Sequence, residues 1–249
     1  MFEATINATY ANKNYLAYIK SQLKDKIIAV EGLLEQQDML TRSYLSVACN
    51  DAFATQIKDI LKDSVAEALS LGYKNEFFKE QLNIKKNTFL TNTLVNIMSI
   101  FDNNLDKKAI KQSINSLNNL SLEGLCDFRL QKLKGKWEEI IKLTNAYDII
   151  LNDKGILTEF ILYLAQAVPT TNNSLTLTFT HDDYLLFSDK NKLLDKLTLF
   201  TQCTLEESIM YNIICNKPKS VVVVGQIDNL DADFVMLLNS LCIVKKVGS

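Results

Sequence analysis

The single histidine of this 249-residue chain, His181, would have to serve any Ser-His-Asp or Cys-His device and any histidine-bearing metal site. It stands beside Asp182 and Asp183 in a stretch that reads as a hairpin turn, where a polar residue needs no special role. Five cysteines, at positions 49, 126, 203, 215 and 242, include no C-x-x-C pair and no zinc spacing, and read as reduced, buried, small apolar groups. Adjacent acidic residues occur at Glu138-Glu139, Asp182-Asp183 and Glu206-Glu207. On a helix such neighbours point about 100° apart, a poor arrangement for paired acid–base work. Asp228, Asp231 and Asp233 lack the calcium-loop spacing. No catalytic residue, no metal site and no cofactor is expected from these residues.

Phosphate-cradling loops fare no better. Val221-Val222-Val223-Val224-Gly225 opens like a dinucleotide-binding strand, but Gln226-Ile227-Asp228-Asn229 supplies none of the further glycines that let backbone approach a pyrophosphate. A P-loop is excluded, since no G-x-x-x-x-G-K-[ST] occurs. Lys107-Lys108 with Lys111, and Lys132, Lys134 and Lys136, are the densest basic clusters. They read as solvated helix faces, or as docking faces for an acidic partner. With a net charge of −2 and no aromatic interleaving, nucleic acid is not an expected partner. Among 27 basic residues only Arg42 and Arg129 are arginines, so a fork of five donors at Arg129 stands out from the lysines. One reading has it holding a carboxylate that fixes helix packing; another has it binding an anionic ligand or partner.

The elements that must position these residues follow from periodicity. Residues 2–10 alternate as a strand, and Asn12–Lys26 puts Tyr15, Leu16, Ile19 and Leu23 on one helix face. Ile27–Val30 and Tyr44–Cys49 flank Gln36-Gln37-Asp38 and predict a hairpin, which makes 1–50 a β-α-β-β segment. From 51 to 169 the chain reads as helical. Thr170–Ser174 is a linker, and the last region, 170–249, reads as a hairpin followed by β-α-β-α-β with its last strands parallel. Leu175–Thr180 and Tyr184–Phe187 form that hairpin, and Lys192–Leu199 reads as a short helix. Thr204 with Glu207 forms a capping box, and Val221–Val224 predicts a strand covered on both faces. The fold class is α+β, a helical middle between two strand-bearing ends that could share one sheet.

Within the middle, Cys126, Leu130, Leu133, Trp137, Ile140, Thr144, Tyr147 and Leu151 fall at helical spacing and predict one long helix over 121–151. Leu122-Glu123-Gly124-Leu125 followed by Phe128-Arg129-Leu130 resembles the "IEGF…FRL" core of the YtxC-like sporulation proteins of endospore-forming bacteria. Glu159-Phe160-Ile161 with Leu164 is similar to that family's "EFI..L" helix. Tyr184-Leu185 and Thr204-Leu205-Glu206-Glu207 are similar to its "Y.L" strand and "T.EE" helix start, and Tyr73 with Phe77-Phe78 to an aromatic patch upstream. The C-terminal cysteine cluster often found in that family is absent, so no metal or redox role is carried over. The resemblance implies a sporulation role inside the cell with no catalytic motif attached. Glu123, Gly124, Phe128, Arg129, Glu159, Phe160, Glu206 and Glu207 are its motif residues, expected to be structural, with Phe128 packing and Arg129 bonded to a carboxylate.

The leading expectation is therefore a non-enzymatic interaction or regulatory protein with an unidentified protein partner. The alternative is a small-ligand or anion-binding protein, enzymatic or not, using Arg129 and the strand ends near Gly225 and Gln226. A cytoplasmic location is expected because residues 1–7 lack a signal-peptide pattern and no 18-residue uncharged apolar run could span a membrane.

Overall fold

The structure is a computed structural model that describes residues 1–84, 88–146, 148–180, 183–194, 203–225 and 230–247. These residues form helices and two separate four-stranded sheets, an α+β architecture. The chain divides into two units, residues 1–77 with 102–140 and residues 78–101 with 141–249. The helical middle expected over 51–169 is thus divided between two units. Nor do the chain ends share a sheet: strands up to residue 121 make one and strands from 174 the other.

In the first unit, strand β1 (Phe2–Thr9) buries Phe2, Ala4, Ile6 and Ala8 on its inner face. Helix α1 (Lys13–Ala29) buries Tyr15, Leu16, Ile19, Leu23 and Ile27. Ile27–Ala29, expected in a strand, ends this helix instead. Ile27 lies four residues beyond Leu23 and completes the buried stripe, so packing overrides the β preference of the isoleucines. The hairpin consists of β2 (Leu33–Asp38) and β3 (Arg42–Cys49). Gln36, Gln37 and Asp38, expected to form its turn, lie in β2 opposite Leu45, Tyr44 and Ser43. The chain runs on through α2 (Ala54–Glu67), a π-helical segment over Ala68–Tyr73, and α3 (Lys74–Gln81). It visits the second unit in α4 (Phe89–Ile100) and returns in α5 (Asn103–Ser113). A two-residue strand, β4 (Leu120–Ser121), then pairs parallel with Ile6 and Asn7, which gives the order β2-β3-β1-β4.

The single helix expected over 121–151 is three: α6 (Leu122–Phe128), α7 (Gln131–Ala146) and α8 (Asp148–Asn152). At the first break the N–H groups of Arg129 and Leu130 both donate to the Leu125 carbonyl, a widened turn from which α7 restarts. The apolar stripe survives it, with Cys126, Leu130, Leu133 and Trp137 each at most 6 % exposed. Further along, Ile140 is only half-buried and Ile141 takes the core position, while Thr144 stays buried. Tyr147 lies outside the described residues.

In the second unit, α9 (Lys154–Ala167) starts at Asp153, whose carboxylate accepts the Ile156 N–H at 3.0 Å, and it stops before Pro169. Strands β5 (Ser174–Phe179) and β6 (Tyr184–Ser188) pair antiparallel; His181 and Asp182, expected in their turn, lie outside the described residues. Lys192–Leu194 is not helical, since Leu193 bridges to Phe187, and the rest of the helix expected over 192–199 lies outside the described residues. After α10 (Leu205–Asn216) come β7 (Ser220–Val224), α11 (Ala232–Leu241) and β8 (Ile243–Val247). The sheet order is β6-β5-β7-β8, with β5, β7 and β8 mutually parallel. Val221 and Val223 are fully buried, but Val222 and Val224 are only half-buried, so β7 is closed on one face and partly open on the other.

Candidate functional site

The motif Leu122–Leu130 builds a corner between sheet and helix in the first unit. Ser121 caps α6, its hydroxyl accepting the Gly124 N–H at 3.2 Å. A Cβ on Gly124 would stand 3.3 Å from the Ser121 Cβ, so the tight cap favours glycine. Glu123 Oε1 accepts from the Thr9 N–H at 2.8 Å, the Thr9 hydroxyl at 3.0 Å and Asn12 Nδ2 at 2.9 Å, tying the end of β1 to the start of α6. Burial works to raise its pKa, but the bonds from Asn12 and Thr9 outweigh that and hold the carboxyl below its ordinary value. Beside it, Asn7 Nδ2 donates to Asn119 Oδ1 at 3.0 Å, and Arg42, the other arginine, donates to Asn7 Oδ1. Glu123 and Gly124 are structural by geometry.

The next two motif residues point outward. Phe128 is 84 % exposed, which corrects the expectation that it packs. The buried stripe is already filled by Cys126 and Leu130, and Phe128 falls on the opposite side of the turn. Arg129 is exposed as well. It donates to the Ser113 carbonyl at 3.3 Å, and among the described residues it has no ion pair with a carboxylate. Along α7, Lys132 and Lys136 are exposed on the same outer side, whereas Lys134 turns in, 3.5 Å from Asp127 and with its amine 5.8 Å from the Phe77 ring centroid. A Cβ on Gly135 would meet nothing within 4 Å. A mid-helix glycine in open space costs helix stability without a packing return. Gly135→Ala should therefore stabilise by about 1 kcal/mol, seen as a rise of roughly 2–4 °C in a thermal melt.

Beneath this corner lies a polar centre that pattern reading did not identify. Lys74, 1 % exposed, reaches Asp106 Oδ2 at 2.6 Å, and Trp137 Nε1 donates to the same oxygen at 3.2 Å. Burial pushes the Lys74 pKa down, against the opposing pull of Asp106 and, more weakly, Asp102. Tyr73 and Phe77 pack their rings 6.4 and 5.9 Å from the Trp137 ring. On the α1 side, the buried Tyr15 hydroxyl donates to Glu76 Oε2, and burial, followed by the Glu76 charge, drives the Tyr15 pKa up. Cys126 is 1 % exposed and its thiol is pushed up to about 12, by burial first and then by Asp127. A high-pKa buried thiol is a poor nucleophile. Lys74, Asp106 and Trp137 are at most 6 % exposed, so the ion pair itself is closed to a solute, while Glu76 at its edge is exposed. It locks packing rather than performing chemistry.

The remaining motif residues lie in the second unit. Glu207, 4 % exposed, closes the capping box with Thr204 and accepts from Asn92 Nδ2 at 2.6 Å through its other oxygen. That second bond ties α10 to α4, a role that the capping pattern alone could not show. Glu206 and Phe160 are half-buried and Glu159 is exposed. Tyr184 is buried and its hydroxyl meets Ser208 Oγ at 2.8 Å and Asn212 Nδ2 at 3.0 Å.

The ligand-binding alternative placed its site at the carboxyl end of β7. Gly225 there has φ +111°, and Gln226 lies outside the described residues. An apolar cleft of about 260 Å³ lies at the amino ends of β7 and β8, lined by Gln166, Ile213, Lys217, Pro218, Leu241 and Cys242. That is the end away from which open α/β sheets bind ligands. Among the described residues no group of three or more His, Cys, Asp or Glu is placed to hold a metal ion, and no helix is long and apolar enough to cross a membrane. Compared with models of known families, with curated proteins and with solved structures, the chain matches none.

Proposed function

We propose that this protein is a non-enzymatic interaction or regulatory protein of the sporulation programme, and that it docks a protein partner through the corner bearing Phe128 and Arg129. The observation that carries this reading is the 84 % exposure of Phe128, next to an exposed Arg129, on a corner held firmly by the Ser121 cap and the Glu123 hydrogen bonds. Burying a phenylalanine gains about 1.5–3 kcal/mol, and here that gain is left for an association. Aromatic residues and arginine are also the types that dominate binding energy at interfaces. The sporulation context rests on the resemblance of the Leu122–Leu130 motif and its companions, and a cytoplasmic location belongs to the same reading. Nucleic acid does not, given the net charge of −2.

Affinity capture of the tagged protein from sporulating cells tests it. A partner in stoichiometric yield should co-purify with the wild type and fall at least tenfold with Phe128→Ser. The thermal midpoint should stay within about 2 °C, because surface substitutions change stability by only about 0.5 kcal/mol. Equal recovery with Phe128→Ser would remove this corner from the interface.

A further inference from the structure

The β2–β3 hairpin carries large apolar side chains at its exposed tip. Its ladder runs to Asp38 and Ser43, and the Met39 N–H donates to the Arg42 carbonyl at 2.8 Å, so that Leu40 and Thr41 form the apex. Neither apex residue has a positive φ, so the backbone admits residues other than glycine, asparagine and aspartate. Here the apex carries Leu40, fully exposed at 100 %, beside Met39 at 50 %. Tyr10, 46 % exposed, is held against this apex, its N–H donating to the Thr41 carbonyl at 3.0 Å. Neither Met39 nor Leu40 adds to the core, and no backbone conformation at the apex calls for them. Two large apolar side chains are thus left exposed at the tip without a packing return.

Two lysines of α1 stand near the protrusion. The Lys13 amine stands 4.0 Å over the Tyr10 ring and donates to its hydroxyl at 2.8 Å. Lys13 and Lys20 both lie within electrostatic reach of Asp38, the acidic residue nearest the apex. A convex tip of three side chains offers far less than the roughly 800 Å² per side that a stable protein interface buries. A bilayer, by contrast, surrounds a protrusion on every side. Tyrosine with its hydroxyl at headgroup level, lysines around it and aliphatic side chains at the tip is the order in which an interface accepts residues by depth.

We propose that the hairpin tip, Met39 and Leu40, inserts into the surface of an anionic lipid bilayer, with Tyr10, Lys13 and Lys20 at the headgroups. Its residues are other than Phe128 and Arg129. A single small wedge with two lysines gives reversible, salt-sensitive attachment, not permanent anchoring.

Co-sedimentation of the full chain with vesicles of phosphatidylcholine and phosphatidylglycerol in equal parts, against phosphatidylcholine alone, tests the proposal. At low salt the wild type should partition at least tenfold more to the anionic vesicles, and high salt should reverse most of this. Met39→Asn with Leu40→Asp should lose at least tenfold in binding with the thermal midpoint unchanged, and Lys13→Glu with Lys20→Glu should lose the preference for anionic vesicles. Phe128→Ser should bind vesicles as the wild type does, so failure here and failure of the partner-docking reading are told apart. Absence of binding to anionic vesicles, equal binding to neutral ones, or binding untouched by the tip substitutions would each overturn the proposal. A monomer–dimer equilibrium abolished by Leu40→Asp would overturn it in favour of a second copy of the chain.

Discussion

Asp106→Ala should destabilise the protein by about 3–5 kcal/mol, the cost of removing one partner from a buried ion pair. In a chain of this size that lowers the thermal midpoint by very roughly 6–20 °C. The reason is geometric. One oxygen, Asp106 Oδ2, accepts both the Lys74 ammonium at 2.6 Å and the Trp137 indole N–H at 3.2 Å, and all three residues are at most 6 % exposed. Alanine leaves both donors without that acceptor and opens a void beside them. The burden falls on the charge, so Lys74→Met combined with Asp106→Leu should recover most of the loss. A denaturant titration of the two variants checks both statements. If Asp106→Ala melts within about 1 kcal/mol of the wild type, the pair is not what holds α3, α5 and α7 together.

Gly72→Ala is the second large effect. A Cβ there would stand 2.5 Å from Tyr15 Cε1 and 3.1 Å from Cδ1. Flexible tips can give way, but the Tyr15 ring is 2 % exposed and its hydroxyl is bonded to Glu76, so it has nowhere to turn. Overpacking of a closed core costs about 1–3 kcal/mol, and here the helix preference of alanine offsets only about 1 kcal/mol of it. Gly72→Ala should therefore destabilise while Gly135→Ala stabilises, although both exchange a helical glycine for the same residue. Equal and stabilising shifts for the two in calorimetry would show that Tyr15 yields, and that the π segment is not a fixed contact.

Sequence periodicity places elements correctly where one period runs undisturbed. β1, the β5–β6 hairpin, α10 and the parallel β7 and β8 are legible from alternation, from the Thr204 cap and from the Val221–Val224 run. Periodicity fails where the helical period changes. The π segment over Ala68–Tyr73 and the widened turn at Arg129–Leu130 advance the chain by fewer degrees per residue than an α-helix does. Extrapolating a spacing of 3.6 through the π segment assigns the next helix's residues to the wrong faces, whereas the apolar stripe survives the turn at Arg129–Leu130. Lys74 is hidden for that reason, turned into the core just after the π segment. Asp106 is equally hidden, since a buried carboxylate on a lysine-rich helix looks solvated until its partners are known. At the hairpin, turn chemistry points to Gln36-Gln37-Asp38, whereas the ladder carries those residues to Asp38 and leaves Leu40 and Thr41 at the apex. For Phe128 and Arg129 the motif is legible but its direction is not, because residue type does not say which side of a broken helix a side chain takes.

Equilibrium unfolding and partner capture, measured on one preparation of Phe128→Ser with Arg129→Ala, would decide whether that corner serves folding or binding. The exposed geometry predicts a loss of stability within about 1 kcal/mol together with a loss of partner yield of at least tenfold. A loss of about 3 kcal/mol or more would contradict it and give both residues a structural role, and a partner recovered in wild-type yield would contradict it by removing them from the interface.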